Sequence, residues 1–231
     1  VMFVHGLESG PSGEKVQGLR AQGLEVVAAD MQMSLKRLDR CNSVSRNLLR
    51  TPEVQAAGVV SAALVGLGLG RRSVWPVGLA GVALGAWWSG RGEALTRQAI
   101  MASYRRCVEV QREAIARFEP DVVLGSSWGG AITLELMLRG HWQGPAVLLA
   151  PAFHKVHRAM GLDPVGRLAG LEPGSTLIFH DPSDDTVPLE DSQALSEQLG
   201  LPLHAVDAGG HRLMGLVEDG RLLESLCEVA G

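Results

Sequence analysis

Asp121-Val122-Val123-Leu124-Gly125-Ser126-Ser127-Trp128-Gly129-Gly130, with the apolar run from Ala131 behind it, reads as a buried strand, a tight turn of small residues and a helix. The turn fits the pattern G-x-S-x-G with Ser127 at its centre. A sharp strand-to-helix turn holds such a serine in a strained backbone conformation, and small neighbours avoid collision across it. The helix behind the turn adds positive potential where an oxyanion would develop. A plain Gly/Ser loop is the bland reading, but the position between strand and helix favours a nucleophile.

Outward from this turn, strand-like and helix-like segments alternate. Apolar runs at 1–4, 24–29, 121–124, 146–150, 175–179 and 203–206 read as buried parallel strands. Amphipathic stretches near 14–22, 93–118, 129–139, 189–199 and 212–229 read as helices, the last as one element. This alternation predicts an α/β fold, a mainly parallel sheet flanked by helices.

Three further motifs follow predicted strands. They are His5-Gly6-Leu7-Glu8-Ser9-Gly10, His180-Asp181-Pro182-Ser183-Asp184-Asp185-Thr186-Val187-Pro188, and Gly209-Gly210-His211. In an open α/β sheet, sites assemble just past the carboxyl ends of strands. Together the motifs resemble the α/β-hydrolase superfamily, and the opening Phe3-Val4-His5-Gly6-Leu7-Glu8-Ser9-Gly10-Pro11 resembles small bacterial esterases. The resemblance covers nearly the whole chain except about 31–92. It implies Ser127 as nucleophile, Asp184 as triad acid and His211 as general base, in the chain order of that fold. Asp184 is selected by alignment on Val187-Pro188, with Asp185 as its rival. The backbone N–H groups of Leu7 and Trp128 are the implied oxyanion donors, and His5 is read as structural. Asp181 stands where the family usually has Gly, which leaves the conformation of that loop open.

The formal charge of −4 and the pI of about 6.0 argue against a nucleic-acid binder, which would show a basic face. Cys41, Cys107 and Cys227 have no metal-binding spacing and are expected to be free thiols in a reducing compartment. No cofactor and no metal is expected. The chain opens directly in a strand-like run, with no basic-then-apolar leader, as a chain trimmed at its amino end would.

Residues 54–70 and 73–90 carry no charge, and only Arg71 and Arg72 separate them. A spanning helix needs about 20 mostly apolar residues, so each run sits at the short edge. Trp75, Trp87 and Trp88 bracket the second run as interfacial aromatics would. Gly66/Gly70 and Gly81/Gly85 would let two helices pack closely. Lys36, Arg37, Arg40, Arg46 and Arg50 precede the runs, while Arg91, Arg97, Arg105 and Arg106 follow them. The expectation is a helical hairpin over 54–90 crossing a membrane, with both ends cytoplasmic and the Arg71-Arg72 tip at the far side. A soluble lid is the alternative, although a lid would keep a polar face.

The expected organisation is a hydrolase domain of 1–30 and 93–231 interrupted by an insertion of 31–92. The expected activity is cleavage of an ester or thioester, on a small-molecule ester or an acyl lipid. A non-catalytic scaffold or binding protein of this fold and a serine peptidase are the alternatives.

Overall fold

The computed structural model describes residues 1–70 and 74–231. They form two compact units, one of Val1–Met33 with Tyr104–Gly231 and one of Ser34–Ser103.

The first unit is built on a five-stranded parallel sheet in the order β1-β4-β5-β6-β7. Its strands are β1 (Met2–Val4), β4 (Val123–Ser126), β5 (Ala146–Leu149), β6 (Thr176–His180) and β7 (Leu203–Ala205); β2 (Met33–Ser34) and β3 (Asn42–Ser43) are two-residue pieces outside it. Register pairs Val4 with Gly125, Ser126 with Leu149, and Leu149 with Phe179. The loops after β1, β4 and β6 therefore leave the sheet along one edge. This is the fold class that the alternation of segments predicts, a mainly parallel sheet flanked by helices.

Side chains alternate across a parallel sheet, and both faces are covered. Phe3, Val122, Leu124, Val147, Leu149, Leu177 and Phe179 share one face, which packs on Val16 and Leu19 of α1 (Glu14–Ala21), Leu216 and Val217 of α9 (Gly215–Glu218) and Leu222 and Leu226 of α10 (Arg221–Ala230). Met2, Val4, Val123, Leu148 and Ile178 alternate with these and are also buried. On that side lie α5 (Trp128–Leu138), α6 (Phe153–Ala159), α7 (Pro164–Leu168) and α8 (Leu189–Leu199). The carboxyl-terminal part of α4 (Trp75–Phe118), from Tyr104 onward, belongs to the same unit.

Two expected elements differ. The run 24–29 is not a strand: only Val27 pairs, in an isolated bridge to Met2. Val27 N–H donates to Val1 O at 3.0 Å and Phe3 N–H donates to Val27 O at 2.8 Å, after which the chain leaves the edge. The single helix expected over 212–229 is two, α9 and α10, because Gly220 adopts φ 82° between them. That left-handed conformation is open to glycine and ends a helix.

The second unit contains α2 (Val44–Leu49), α3 (Pro52–Gly70) and α4 as far as Ser103. Asn42 Nδ2 donates to Ser103 O at 3.1 Å and Asn47 Nδ2 to Ser103 Oγ at 2.7 Å, tying its first residues to its last. Both apolar runs are helical, and most of their large side chains are exposed, including Val59, Val60, Leu69, Val74, Trp75, Leu79 and Val82. The expected membrane-crossing hairpin is corrected here: among the described residues, no helix is long and apolar enough to cross a membrane. The physical reason is shortness in the first run, 54–70, and dilution in the second. In the second, Gly78, Gly81, Gly85 and Ser89 add little hydrophobic transfer energy, and Arg91 follows closely in the same helix as Trp88. Arg71 and Arg72, the expected far-side tip, lie outside the described residues.

Candidate active site

The turn after β4 holds Ser127 at φ 55° and ψ −115°. A non-glycine residue there costs on the order of 1–3 kcal/mol and persists only where its surroundings over-determine it. Ser127 N–H donates to Leu149 O at 2.8 Å, and Ser127 O accepts from Ala152 N at 3.0 Å and Ala131 N at 3.1 Å. The elbow's glycines answer to close packing. A Cβ at Gly129 would lie 1.9 Å from Val4 O, and one at Gly125 would lie 2.5 Å from Thr133 Oγ1. Substitution is closed by the neighbouring backbone, not merely by the turn.

His211 comes from a single 3-10 turn, Gly210–Arg212, after Gly209 and Gly210 at φ 88° and 66°. Its Nε2 lies 2.9 Å from Ser127 Oγ, and its Nδ1 lies 2.7 Å from Asp184 Oδ2. The Asp184 side chain is 1% exposed. Its other oxygen, Oδ1, accepts from Thr186 N at 2.7 Å and Val187 N at 2.9 Å. A carboxylate is acceptor-only, so Nδ1 carries the hydrogen and Nε2 is left to accept from the serine hydroxyl. Asp185, the rival, is exposed and accepts from Thr186 Oγ1 at 3.1 Å. The three residues singled out by sequence are thus brought into one hydrogen-bonded chain, in which Asp184 and not Asp185 meets His211.

Two more residues of this site escape a sequence reading. Asp181 is buried, and its Oδ2 accepts from Ala208 N and Gly210 N, both at 2.8 Å. Its Oδ1 accepts from Ser183 N at 2.8 Å and Ser183 Oγ at 2.7 Å. Burial by itself would raise the carboxyl's pKa, but these donors hold it well below the usual carboxylate range. The one signal in the sequence is the departure itself, an Asp where the family usually has Gly. His180 is fully buried: Nε2–H donates to Val187 O at 3.0 Å, and Nδ1 accepts from Ser192 Oγ at 2.7 Å. Burial lowers its pKa, so it stays neutral and braces the loop that carries Asp184.

His5, read from sequence as structural, is fully buried. Its Nε2 accepts from Met31 N at 3.1 Å and its Nδ1 faces Gly6 O at 2.9 Å, which assigns the hydrogen to Nδ1. This contact sets the turn that presents Leu7. The turn approaches the nucleophile closely: a Cβ at Gly6 would lie 3.5 Å from Ser127 Cβ. Among the described residues, the backbone N–H groups of Leu7 and Trp128 donate to no backbone acceptor.

Ser127 and His211 open onto a cavity of about 400 Å³, walled also by Phe3, Leu7, Lys15 and Met214. Cys107 is buried and Cys227 exposed, with Cys41 between the two in exposure. Among the described residues, no group of three or more His, Cys, Asp or Glu is placed to hold a metal ion.

No protein-family model matches the chain, and no curated protein matches it. Among solved structures it is similar to a protein of the alpha/beta hydrolase superfamily from Xanthomonas campestris pv. campestris, with 20% identity over 99% of this chain and 95% of the other, at a TM-score of 0.49. It is also similar to a thermophilic esterase from the Planctomycetes species Thermogutta terrifontis, with 18% identity over 56% of this chain and 62% of the other, at a TM-score of 0.39. The fold of the first unit, a five-stranded parallel sheet with a strand-to-helix turn at Ser127 after β4, stands on its own strand order and register.

Proposed function

We propose that this protein is a serine hydrolase that cleaves an ester or thioester through an acyl-enzyme on Ser127. One observation carries the reading: a strained Ser127 hydroxyl lies 2.9 Å from His211 Nε2, whose other nitrogen lies 2.7 Å from the buried Asp184. As Ser127 Oγ attacks the acyl carbonyl, its proton passes to His211 Nε2, and Asp184 stabilises the imidazolium through Nδ1–H. The Leu7 and Trp128 N–H groups receive the developing oxyanion. The tetrahedral intermediate expels the alcohol or thiol, which takes the proton from Nε2. Water, deprotonated by His211, then attacks the acyl-enzyme and releases the acid.

The substrate is a lipophilic ester met at a lipid surface, and the second unit supports this part of the reading. A helix that is apolar all round is normally covered by protein or lipid, yet α3 and the start of α4 expose most of their large side chains. Lys36, Arg46, Arg50 and Arg91 flank them, and anionic head groups attract such residues.

The chemistry is tested with short 4-nitrophenyl esters and a fluorophosphonate probe. The wild type hydrolyses the esters and is labelled once, whereas Ser127→Ala does neither; undiminished labelling of the variant overturns the assignment. The surface is tested by sedimentation with vesicles containing one quarter anionic phospholipid. The chain co-sediments, and exchange of Val59, Val60, Leu69 and Val82 for Gln abolishes it. Equal recovery in the supernatant with and without vesicles overturns the lipid reading.

A further inference from the structure

We infer that the cavity beside Ser127 selects esters carrying a second, anionic group, and that the Lys15 ammonium is the residue that receives it. The inference rests on the serine-hydrolase reading and adds the substrate's charge to it.

Lys15 lies in the first turn of α1 and lines the same cavity as Ser127 and His211. It is half-buried, and among the described residues its ammonium forms no ion pair or hydrogen bond. The other charges of the cavity are accounted for. Arg212 NH2 donates to Glu14 Oε2, so that pair neutralises itself. Glu8, on the exposed rim, has interactions of its own. His211 is committed to Ser127 and Asp184. What remains is one positive charge, partly stripped of water, on the wall of the site where an acyl group or leaving group must lie.

Removing an ammonium from water without a partner is costly, and the natural relief is a complementary anion. Lys15 shows that cost. Burial, and then the nearby Arg212 guanidinium, lower its pKa from 10.5 to about 8, against the opposing pull of Glu14. A bound carboxylate reverses both effects by supplying the missing hydrogen-bond acceptor and countercharge. Lys is suited to this as a compact point charge that does not demand planar, bidentate geometry. Apolar walls at Phe3, Leu7 and Met214 leave room for a methylene chain between the scissile carbonyl and the anion.

The test compares two esters of one chain length, the mono-4-nitrophenyl ester of adipic acid and 4-nitrophenyl hexanoate, on the intact chain with spontaneous hydrolysis subtracted. At pH 7 kcat/KM favours the adipate ester by roughly 10–100-fold, as a charge-assisted hydrogen bond of about 1.5–3 kcal/mol provides. Lys15→Met collapses that ratio to near one, Lys15→Glu inverts it, and Lys15→Arg retains most of it. The ratio also falls as pH rises through about 8, because the free enzyme's Lys15 then loses the charge that recognises the anion. Taking the ratio cancels any pH effect that the two esters share. Equal kcat/KM for the two esters, or a ratio that Lys15→Met leaves intact, overturns the charge preference while the hydrolase reading stands. Turnover of neither ester overturns both.

Discussion

Asp181 Oδ2 accepts the backbone N–H of Gly210 at 2.8 Å, so a carboxylate in the acid loop fixes the residue immediately before His211. The same oxygen accepts from Ala208 N. Asp184 orients the imidazole ring directly, while Asp181 holds the backbone from which that ring projects. Asp181→Asn replaces acceptor lone pairs with an NH₂ group facing N–H donors, and kcat is expected to fall about 10–100-fold with a smaller change in KM. An unaltered kcat for Asp181→Asn would show that the loop holds His211 without it.

The same carboxylate gives the fold a pH dependence. Its folded pKa lies below the unfolded value of about 3.9, so its stabilising effect is complete above that value and is lost as pH falls below it. Urea midpoints measured at pH 7 and pH 3 should drop steeply for the wild type and less for Asp181→Asn. Parallel drops would assign the acid sensitivity to other carboxylates.

His180 produces a second, distinct window. Burial lowers its folded pKa beneath the unfolded value near 6.5, so folding favours the neutral ring and stability declines as pH falls through and below 6.5. His154, also buried, shifts in the same direction. Denaturant midpoints taken between pH 7.5 and pH 5.5 should decline in the wild type, and the slope should be shallower in His180→Gln.

Asp184 and Asp185 are neighbours with opposite surroundings. Asp184→Asn removes the acceptor that fixes the His211 tautomer and should lower kcat by about 10³–10⁴-fold. Asp185→Asn alters an exposed side chain and should stay within about twofold of wild type. Ester hydrolysis by the two variants in parallel decides between them, and the reverse ranking would reassign the acid.

Gly129→Ala places a Cβ 1.9 Å from Val4 O, an overlap that β1 or the elbow must move to relieve. A loss of about 3 kcal/mol or more is expected, roughly 6–12 °C in Tm for a domain of this size. Gly81→Ala, a helical position with nothing within 4 Å, should instead be neutral or stabilising by up to about 1 kcal/mol. Thermal melts of the two variants give the comparison, and similar Tm values would refute the packing account.

The sequence by itself determined the elements whose causes are local. Strand 121–124, the small-residue turn and the helix after it are written in contiguous residues, and so is the order Ser127, Asp184, His211. The break at Gly220 was not legible, because the amphipathic pattern runs through it and the glycine's left-handed φ belongs to the folded chain. Strand 24–29 misled because apolar β-branched residues state a propensity and not a partner; at the sheet edge only Val27 finds one. The apolar runs misled in a related way. Lack of charge is visible in sequence, whereas their exposure appears only once the elements are built.

Tertiary structure decided everything that depends on groups far apart in the chain. The choice of Asp184 over Asp185 as the partner of His211 rests on a contact spanning 27 residues. The roles of Asp181 and His180, and the placing of Lys15 on the wall beside Ser127, likewise follow from which loops meet at the sheet's edge. Local chemistry sets each loop's own conformation. Only the packed sheet, which fixes where the strands end, sets which loops meet.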